Sequence, residues 1–260
     1  MSFANQVAVI TGASSGIGWE LAKQLAAQHC AVGVIARRHD RLEALVREIQ
    51  AAGGKAAYAV ANVADRVQTV SAIHAVRDQL GPVDLLIANS GVGLPTTIEP
   101  LNIDEVENMF KVNTLGVVYA IEAVLPEMLK RRKGHLAAIS SLAAYTGLPG
   151  ESGYCASKAA VNVYMDGLRS PLRRRGIYVT TICPGFIETP MTAVNTFPMP
   201  FLMKADRAAQ LILNAIGRKK KVYNFPWQTT VLMKLTAWLP DWILARVMEG
   251  KTGDRPKHTQ

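Results

Sequence analysis

The stretch TGASSGIG, residues 11–18, decides the fold of this 260-residue chain. It continues the apolar, β-branched run VAVIT at 7–11 and leads into an apolar periodicity typical of a helix at 17–28. Glycines in such a turn let the backbone bend tightly and present the free N–H groups of the helix to a phosphate. We therefore predict a pyrophosphate-binding loop, with a purely structural turn as the alternative.

The rest of the chain repeats this alternation of short apolar strands and helical patterns. Strands are predicted at 7–11, 32–36, 56–60, 84–88, 135–139, 177–183 and 221–225, and helices near 17–28, 40–52, 66–80, 104–130, 152–174 and 205–217. This order predicts an α/β fold, a doubly wound (Rossmann-type) parallel seven-stranded sheet with helices on both faces. We expect a single domain over 1–260, with a substrate lid at about 186–204 and a helical C-terminal tail at about 226–260.

Composition excludes several protein classes. Apolar residues make up 49% and charged residues 19% of the chain, so a large core can form and global disorder is excluded. The three cysteines, Cys30, Cys155 and Cys183, have no metal-ligand spacing, so we expect no metal site and a reducing, cytoplasmic location. We recognise no signal peptide and no uninterrupted apolar run of the roughly 18 residues that a membrane span needs.

The net charge of +9 raises the question of an anionic partner. Its basic clusters, at 131–133, 173–175 and 218–221, do not form one stripe, and each follows a predicted helix. Basic residues there complement the helix dipole, so solvated helix ends are the favoured interpretation. An anionic membrane surface is the second interpretation, and we expect no nucleic-acid partner.

Two arginines follow the second predicted strand. A carboxylate at this point would bind the adenosine ribose of NAD and repel the 2′-phosphate of NADP, but the chain has Arg37 and Arg38. A guanidinium suits a phosphate, so NADP(H) is the predicted cofactor. The alternative is that these arginines only begin a solvated helix.

The segment SGYCASKAA, residues 152–160, places Tyr154 and Lys158 one helical turn apart. A tyrosine needs a cationic neighbour to act as an acid or base near neutral pH, because its ordinary pKa is about 10. Lys158 can supply that charge. An ordinary amphipathic helix with a half-buried ring is the alternative.

Four motifs together resemble the short-chain dehydrogenase/reductase family in its compact single-domain form. They are TGASSGIG at 11–18, Asn89-Ser90-Gly91, Ser141 with Tyr154 and Lys158, and Pro184-Gly185. The resemblance covers about residues 5–217. It implies an NADPH-dependent oxidoreductase that reduces a carbonyl compound to an alcohol or catalyses the reverse reaction. An NAD-linked alcohol dehydrogenase and a catalytically silent cofactor-binding scaffold are the alternatives.

The resemblance also implies a catalytic set of four residues. Tyr154 would be the general acid or base, Lys158 would stabilise its phenolate and hold the nicotinamide ribose, and Ser141 would donate a hydrogen bond to the substrate oxygen. Asn113 matches the family's helix asparagine that positions a water for proton relay. Ser140 competes with Ser141, although the family spacing favours Ser141.

The cofactor contacts are carried over in the same way. They are Gly12, Ser14, Ser15, Gly16, Ile17, Gly18, Arg37, Arg38, Asn62, Val63, Asn89, Gly91, Tyr154, Lys158, Pro184, Gly185, Ile187 and Thr189. Two positions depart from the family pattern. Asn62 replaces the usual aspartate, and an amide should retain adenine binding. Ser90 replaces the usual alanine, a change for which the sequence offers no physical reason.

Two apolar segments concern the substrate and partners. Methionine and phenylalanine at 191–203 favour a lipophilic carbonyl substrate, unless they only dock the loop on the body. Trp227, Trp238 and Trp242 lie in a tail that Pro240 should divide into two short helices. That tail covers the pocket or contacts a subunit, or else it lies peripherally on a membrane. The resemblance further implies a homodimer or homotetramer formed through the helices at 104–130 and 152–174.

Overall fold

The computed structural model describes residues 3–195 and 198–236, and its centre is a seven-stranded parallel sheet. The strands are β1 Val7–Thr11, β2 Ala31–Ala36, β3 Ala56–Val60, β4 Leu85–Ala88, β5 Gly134–Ile139, β6 Ile177–Pro184, β7 Ile187–Glu188, β8 Met203–Lys204 and β9 Val222–Phe225. The sheet order is β3-β2-β1-β4-β5-β6-β9, and β7 pairs separately with β8. The order reverses between β1 and β4, so a crevice opens outside their carboxyl ends.

Helices cover both faces of the sheet. They are α1 Gly16–Ala26, α2 His39–Ala51, α3 Arg66–Leu80, α4 Ile103–Phe110, α5 Gly116–Arg131, α6 Ser152–Arg173, α7 Ala205–Gly217 and α8 Trp227–Thr236. One core layer packs α1, α2 and α7 on the sheet, and the other packs α3, α5 and α6. The predicted doubly wound sheet is confirmed, because apolar strands with two covered faces need both layers.

The predicted regular helix at 104–130 is wrong in one respect. A π-helical turn, Lys111–Leu115, separates α4 from α5. Such single turns occur inside α-helices where local packing requires an extra residue, and hydrophobic periodicity does not reveal them. A 3-10 helix, Leu142–Tyr145, and the short pair of β7 with β8 were likewise absent from the prediction.

The helical run Ile103–Arg131 is, by length and composition alone, long and apolar enough to cross a membrane. The run has 29 residues, an 18-residue window within it has a mean hydropathy of 1.3, and half of that window is buried. In α5 the buried residues include Val117, Ile121 and Val124, which pack in the core beneath the sheet. The helix therefore has the burial of a core helix.

Only part of the predicted tail belongs to the described residues. Helix α8 corresponds to its first predicted helix, and it contacts β9 and the 3-10 helix Leu142–Tyr145. Pro240, Trp238 and Trp242 lie outside the described residues, as does Phe197 of the lid.

Candidate active site

A cleft of about 280 Å³ lies at the carboxyl ends of the central strands. It collects residues from the glycine loop, the ends of β2 to β6, α6 and the segment after β6. The predicted site residues that line it are Gly12, Ser14, Ser15, Gly16, Ile17, Arg37, Arg38, Asn62, Val63, Asn89, Gly91, Ser141, Tyr154, Lys158, Pro184, Gly185, Ile187 and Thr189. Gly18 and Asn113 lie behind the wall of the cleft.

The glycine loop needs its glycines for space and for backbone conformation. Gly12 and Gly16 have φ angles of +69° and +57°, which disfavour residues with a Cβ. A Cβ on Gly18 would lie 2.5 Å from the carbonyl oxygen of Gly12. The Asn89 side chain donates to the carbonyl oxygens of Thr11 and Gly12 at 3.0 and 3.2 Å, so it holds the loop against the end of β4.

Arg38 lies against the two serine hydroxyls of the loop. Its Nη2 donates to Ser14 Oγ at 2.8 Å and to Ser15 Oγ at 2.7 Å. Arg41, one turn into α2, lies 4.8 Å from the Trp19 ring and donates weakly to the Ser14 carbonyl. A guanidinium beside two hydroxyl groups is a combination that could hold a phosphate at this end of the cleft. Arg37 is exposed at the rim.

The part of the cleft that follows β3 contains Asn62, the position where the family resemblance implies an aspartate. The Asn62 side-chain oxygen accepts from the backbone N–H of Ala64 at 3.1 Å. The backbone N–H of Asn62 donates to Gln68 Oε1. An aspartate oxygen could accept from Ala64 in the same way. The asparagine therefore keeps this turn in place beside Val63, which is buried in the wall.

Tyr154 projects from α6 toward Ser141. The Ser141 side chain accepts from the backbone N–H of Ala143, and its hydroxyl is hydrogen-bonded to the Tyr154 phenol. Burial raises the pKa of Tyr154 to about 12, and the hydrogen bond with Ser141 opposes that rise. Ser140 is 2% exposed and donates to the carbonyl oxygen of Lys158, so its hydroxyl is used inside the protein.

Lys158 lies one turn further along α6 and is 3% exposed. Its Nζ donates to the carbonyl oxygen of Ile139 at 2.9 Å and lies 5.9 Å from the centre of the Tyr154 ring. Burial lowers the pKa of Lys158 to about 8. A Cβ on Gly91 would lie 3.2 Å from this Nζ, so the glycine leaves the space above the ammonium open.

Asn113 lies in the π-helical turn and is completely buried. Its side chain accepts from the backbone N–H of Val92 at 2.8 Å and donates to the Val92 carbonyl at 2.9 Å and to Ser157 Oγ at 2.9 Å. The turn thus joins the loop after β4 to helix α6. These bonds fix both walls of the cleft around Lys158.

One wall of the cleft near Tyr154 is formed by the segment that follows β6. Ile187 is buried, and Thr189 lies so close to the loop that a Cβ on Gly16 would be 2.9 Å from its methyl group. Met191 and the Tyr154 ring both approach Gly93, each within 3.7 Å of the place a Cβ there would take. Met191 therefore faces the phenol across the mouth of the cleft.

Comparison with known proteins agrees with this arrangement. The family model of the short chain dehydrogenases matches residues 6–197. The chain belongs to the short-chain dehydrogenase family. An oxidoreductase of Myxococcus xanthus, named as uncharacterized, is 40% identical to this short-chain dehydrogenase over 236 residues, which are 91% of this chain and 93% of the relative. Ketoacyl reductase HetN of Nostoc sp. is 30% identical over 215 residues, 81% of this chain and 75% of the relative.

Solved structures of two reductases share the fold of this short-chain dehydrogenase. The crystal structure of an actinorhodin polyketide ketoreductase variant with NADPH has a TM-score of 0.78 and 27% identity, covering 86% of this chain and 97% of that chain. Levodione reductase has a TM-score of 0.80 at 23% identity, covering 88% and 99% of the two chains, and it supports the fold alone.

Some residues in or beside the cleft of this short-chain dehydrogenase carried no signal in the sequence. To predict the role of Arg41, one would have to know where α2 begins. The helix turns Arg41, the third residue after Arg38, back over the glycine loop. The carbonyl oxygen of Ile139 anchors Lys158, but a backbone acceptor cannot be read from a side-chain pattern. Val92 belongs to the same class, because it contributes its main-chain N–H and carbonyl to Asn113. No cluster of His, Cys, Asp and Glu suited to a metal occurs among the described residues.

Proposed function

We propose that this short-chain dehydrogenase is an NADPH-dependent carbonyl reductase acting on a lipophilic ketone or aldehyde, and that it also catalyses the reverse oxidation. The observation that carries the proposal is the placement of two groups in one cleft. Arg38 with Ser14 and Ser15 lies at one end, and Tyr154 with Ser141 and Lys158 lies at the other. The first group suits a 2′-phosphate and the second suits protonation of a carbonyl oxygen.

The residues of the cleft fit a bound dinucleotide. The missing side chain at Gly91 leaves the Lys158 ammonium open to a ligand, and those at Gly12 and Gly16 let the loop pack closely against Ser90 and Thr189. Asn89 and Asn113 hold the loops on either side, so little reorganisation would be needed on binding. NADPH would supply a hydride to the carbonyl carbon.

The chain's own residues would supply the proton and the orientation. Ser141 would donate a hydrogen bond to the carbonyl oxygen while the Tyr154 hydroxyl gives that oxygen its proton. The remaining phenolate would be stabilised by the Lys158 ammonium on the same helix face. Burial holds the pKa of Tyr154 near 12 without a ligand, so a cationic Lys158 is needed to bring the phenol closer to neutral pH.

A lipophilic substrate is supported by the exposed apolar side chains of the segment that follows β6, of which Met191 lines the cleft. Met191, Val194, Phe201 and Leu202 are each about half exposed, so they do not dock the segment tightly on the body. Apolar side chains held open in this way suit contact with an apolar ligand. The ketoreductase names of the Nostoc relative and of the actinorhodin enzyme favour a ketone over an alcohol as the substrate.

The test of this function is NADPH oxidation across ketones and aldehydes of increasing lipophilicity, repeated with NADH. We expect turnover with NADPH that is at least about tenfold more efficient than with NADH. In the double variant Arg37→Ala with Arg38→Ala, this preference should fall because the phosphate loses its guanidinium contacts. An unchanged preference in that variant would favour the alternative that the arginines only begin a solvated helix. A wild-type preference for NADH would favour the NAD-linked alternative, and no turnover with any carbonyl would favour the silent scaffold.

We also propose one domain for the whole chain, a cytoplasmic location and a homodimer or homotetramer. The location is supported by three buried free thiols among the described residues. Assembly is supported by exposed apolar side chains on helical surfaces, namely Leu115, Val163, Trp227, Leu232 and Leu235. For the tail, this exposed face of α8 is free to contact a subunit, the rim of the pocket or a membrane surface. Light scattering of the full chain would measure the oligomeric state.

A further inference from the structure

The three basic clusters, separate in sequence, meet at one edge of the sheet. We call the set 131–133, 173–175 and 218–221 the basic edge. Helices α5, α6 and α7 end at these clusters, and parallel strands place all such helix ends at the edge opposite the cofactor cleft. The sequence-based interpretation of scattered, separately solvated clusters is therefore wrong about their arrangement.

Direct contacts join the three clusters. Arg132 donates to the carbonyl oxygen of Arg174 at 3.3 Å. Arg173 and Lys219 both lie over the Tyr178 ring, at 4.4 and 3.8 Å from its centre. Lys133 and Lys219 line a second hollow of about 280 Å³ together with Tyr178 and His135. One continuous cationic surface results.

The positive charge of the basic edge is not balanced by nearby acids. Asp84 pairs with Arg131 and Lys133 at 3.0 Å each. Among the described residues, no carboxylate forms an ion pair with the exposed Arg174, Arg175 or Arg218. Three helix C-termini supply only about half a negative charge each. The helix dipoles therefore leave most of the charge uncompensated.

Two titratable groups register this positive potential. Hydrogen bonding to Lys219, with the nearby charge of Arg173, lowers the pKa of the Tyr178 phenol. Burial lowers the pKa of His135 to about 4, and Lys219 adds to that effect. The same positive potential that contributes to the pKa shifts of Tyr178 and His135 would attract an anion approaching this edge.

The chemistry of the edge discriminates among anionic partners. Nucleic-acid-binding proteins add helix N-termini and backbone N–H groups to the phosphate contacts of their Arg and Lys side chains, whereas this edge presents helix C-termini. Protein interfaces need an apolar centre, and Val222 is the one exposed large apolar residue described beside these clusters. Long, flexible cations around the second hollow, with no apolar centre exposed among the described residues, suit diffuse attraction to a plane of anionic lipid headgroups.

We propose that the basic edge docks this protein electrostatically on an anionic lipid surface. Each Lys or Arg held near such a surface contributes about fivefold in affinity, so several acting together give measurable binding. Docking in this way points the cofactor cleft and the lid away from the lipid. It is also separate from the tail, because β9 carries the chain from Lys221 at the basic edge to Phe225 beside the cleft before α8 begins.

The test is sedimentation of the full chain with phosphatidylcholine vesicles, with and without about 30% phosphatidylglycerol. The edge variant is Arg174→Glu with Arg218→Glu, and the matched control is Arg47→Glu with Arg207→Glu, an equal change in charge on other exposed surfaces. We expect wild type and control to bind only the anionic vesicles. The edge variant should bind at least about tenfold more weakly, and raising NaCl from about 50 to 500 mM should release the protein.

Several outcomes would overturn the proposal. Wild type that fails to sediment with anionic vesicles would do so, as would equal losses in the edge variant and the control. Binding that persists in the edge variant and at high salt would assign the membrane contact to apolar groups such as the tail. Tighter binding to duplex DNA or RNA oligonucleotides than to the anionic vesicles, measured at the same salt, would assign the edge to nucleic acid instead.

Discussion

Lys158 lies one helical turn beyond Tyr154, with its Nζ 5.9 Å from the centre of the tyrosine ring, in a position fixed by the carbonyl oxygen of Ile139. Burial shifts the pKa values of the two side chains in opposite directions. Desolvation disfavours the charged form of each, so the pKa of Tyr154 rises to about 12 and that of Lys158 falls to about 8. The pair is therefore suited to exchanging protons with a ligand that enters the cleft.

Replacing Tyr154 with phenylalanine should abolish most turnover and leave cofactor binding nearly intact. The substitution removes the proton donor but keeps the ring, and general acids contribute about 100-fold to 10,000-fold in rate. NADPH consumption and NADPH fluorescence titration measure the two effects. The matched control is Tyr145→Phe, because the Tyr145 hydroxyl donates to Asn224 at 2.9 Å and does not line the cleft. Equal losses in both variants would refute a special role for the Tyr154 hydroxyl.

Replacing Lys158 with methionine should stabilise the protein at neutral pH and inactivate it. Since the folded pKa of Lys158 is about 8 and its ordinary value is 10.5, the unfolded chain binds the proton more tightly. The lysine therefore destabilises the fold most below pH 8, and this cost disappears as the pH rises to 10.5. Lys158→Met should gain about 1–3 kcal/mol near pH 7.

Urea unfolding across this pH range tests the sign. The advantage of Lys158→Met over wild type should shrink steadily between pH 8 and 10.5. Lys55→Met, at an exposed lysine before β3, serves as the control and should differ from wild type by no more than about 0.5 kcal/mol. An advantage for Lys158→Met that grows with pH would contradict the burial of a charged ammonium.

Much of the fold could be predicted from sequence because its signals are local. Short apolar strands and amphipathic helices set the sheet, and the observed bounds of β1 and β3 match the expected ones. The site residues that face the cleft follow strand ends, where a parallel sheet gathers them. The π-helical turn at Asn113 was not predictable in this way, because it depends on hydrogen bonds to Val92 and Ser157 from distant segments.

The basic edge shows the same limit on a larger scale. Each cluster reads as an ordinary helix end, and its sequence neighbours contain nothing that distinguishes it. Only the sheet order, which sets β5, β6 and β9 side by side, brings 131–133, 173–175 and 218–221 together. A surface built from several helix ends is set by the topology of the sheet and cannot be predicted from any one segment. The glycine loop can be predicted because it lies within a single turn of the chain.

Adding one methyl group at two different glycines should have opposite effects. In Gly18→Ala the new Cβ would lie 2.5 Å from the Gly12 carbonyl oxygen and 2.6 Å from Asn89 Nδ2, so the loop must shift. We expect a loss of about 1–3 kcal/mol in stability and at least tenfold weaker NADPH binding. In Gly167→Ala, within α6, the Cβ meets nothing within 4 Å.

Gly167→Ala should stabilise the protein by about 0.5–1 kcal/mol, because alanine favours a helix over glycine. Its NADPH affinity should equal that of wild type. Urea unfolding gives the free energy of unfolding of each variant, and fluorescence titration gives its NADPH affinity. The interpretation of the loop as a tightly packed phosphate cradle fails if Gly18→Ala binds NADPH as well as Gly167→Ala does.

Replacing Asn113 with alanine should cost both stability and turnover. The completely buried amide makes three hydrogen bonds, and its loss leaves the Val92 N–H and carbonyl without partners inside the protein. We expect a loss of about 2–3 kcal/mol, since each buried unsatisfied group costs about 1–3 kcal/mol. Asn108→Ala, at an exposed position of α4 in the same helical run, should leave stability within about 0.5 kcal/mol of wild type.

Because the lost bonds join the loop after β4 to α6, Asn113→Ala should lower turnover more than it weakens NADPH binding. Stopped-flow NADPH oxidation at saturating cofactor separates these effects, and unchanged turnover there would restrict Asn113 to a structural role.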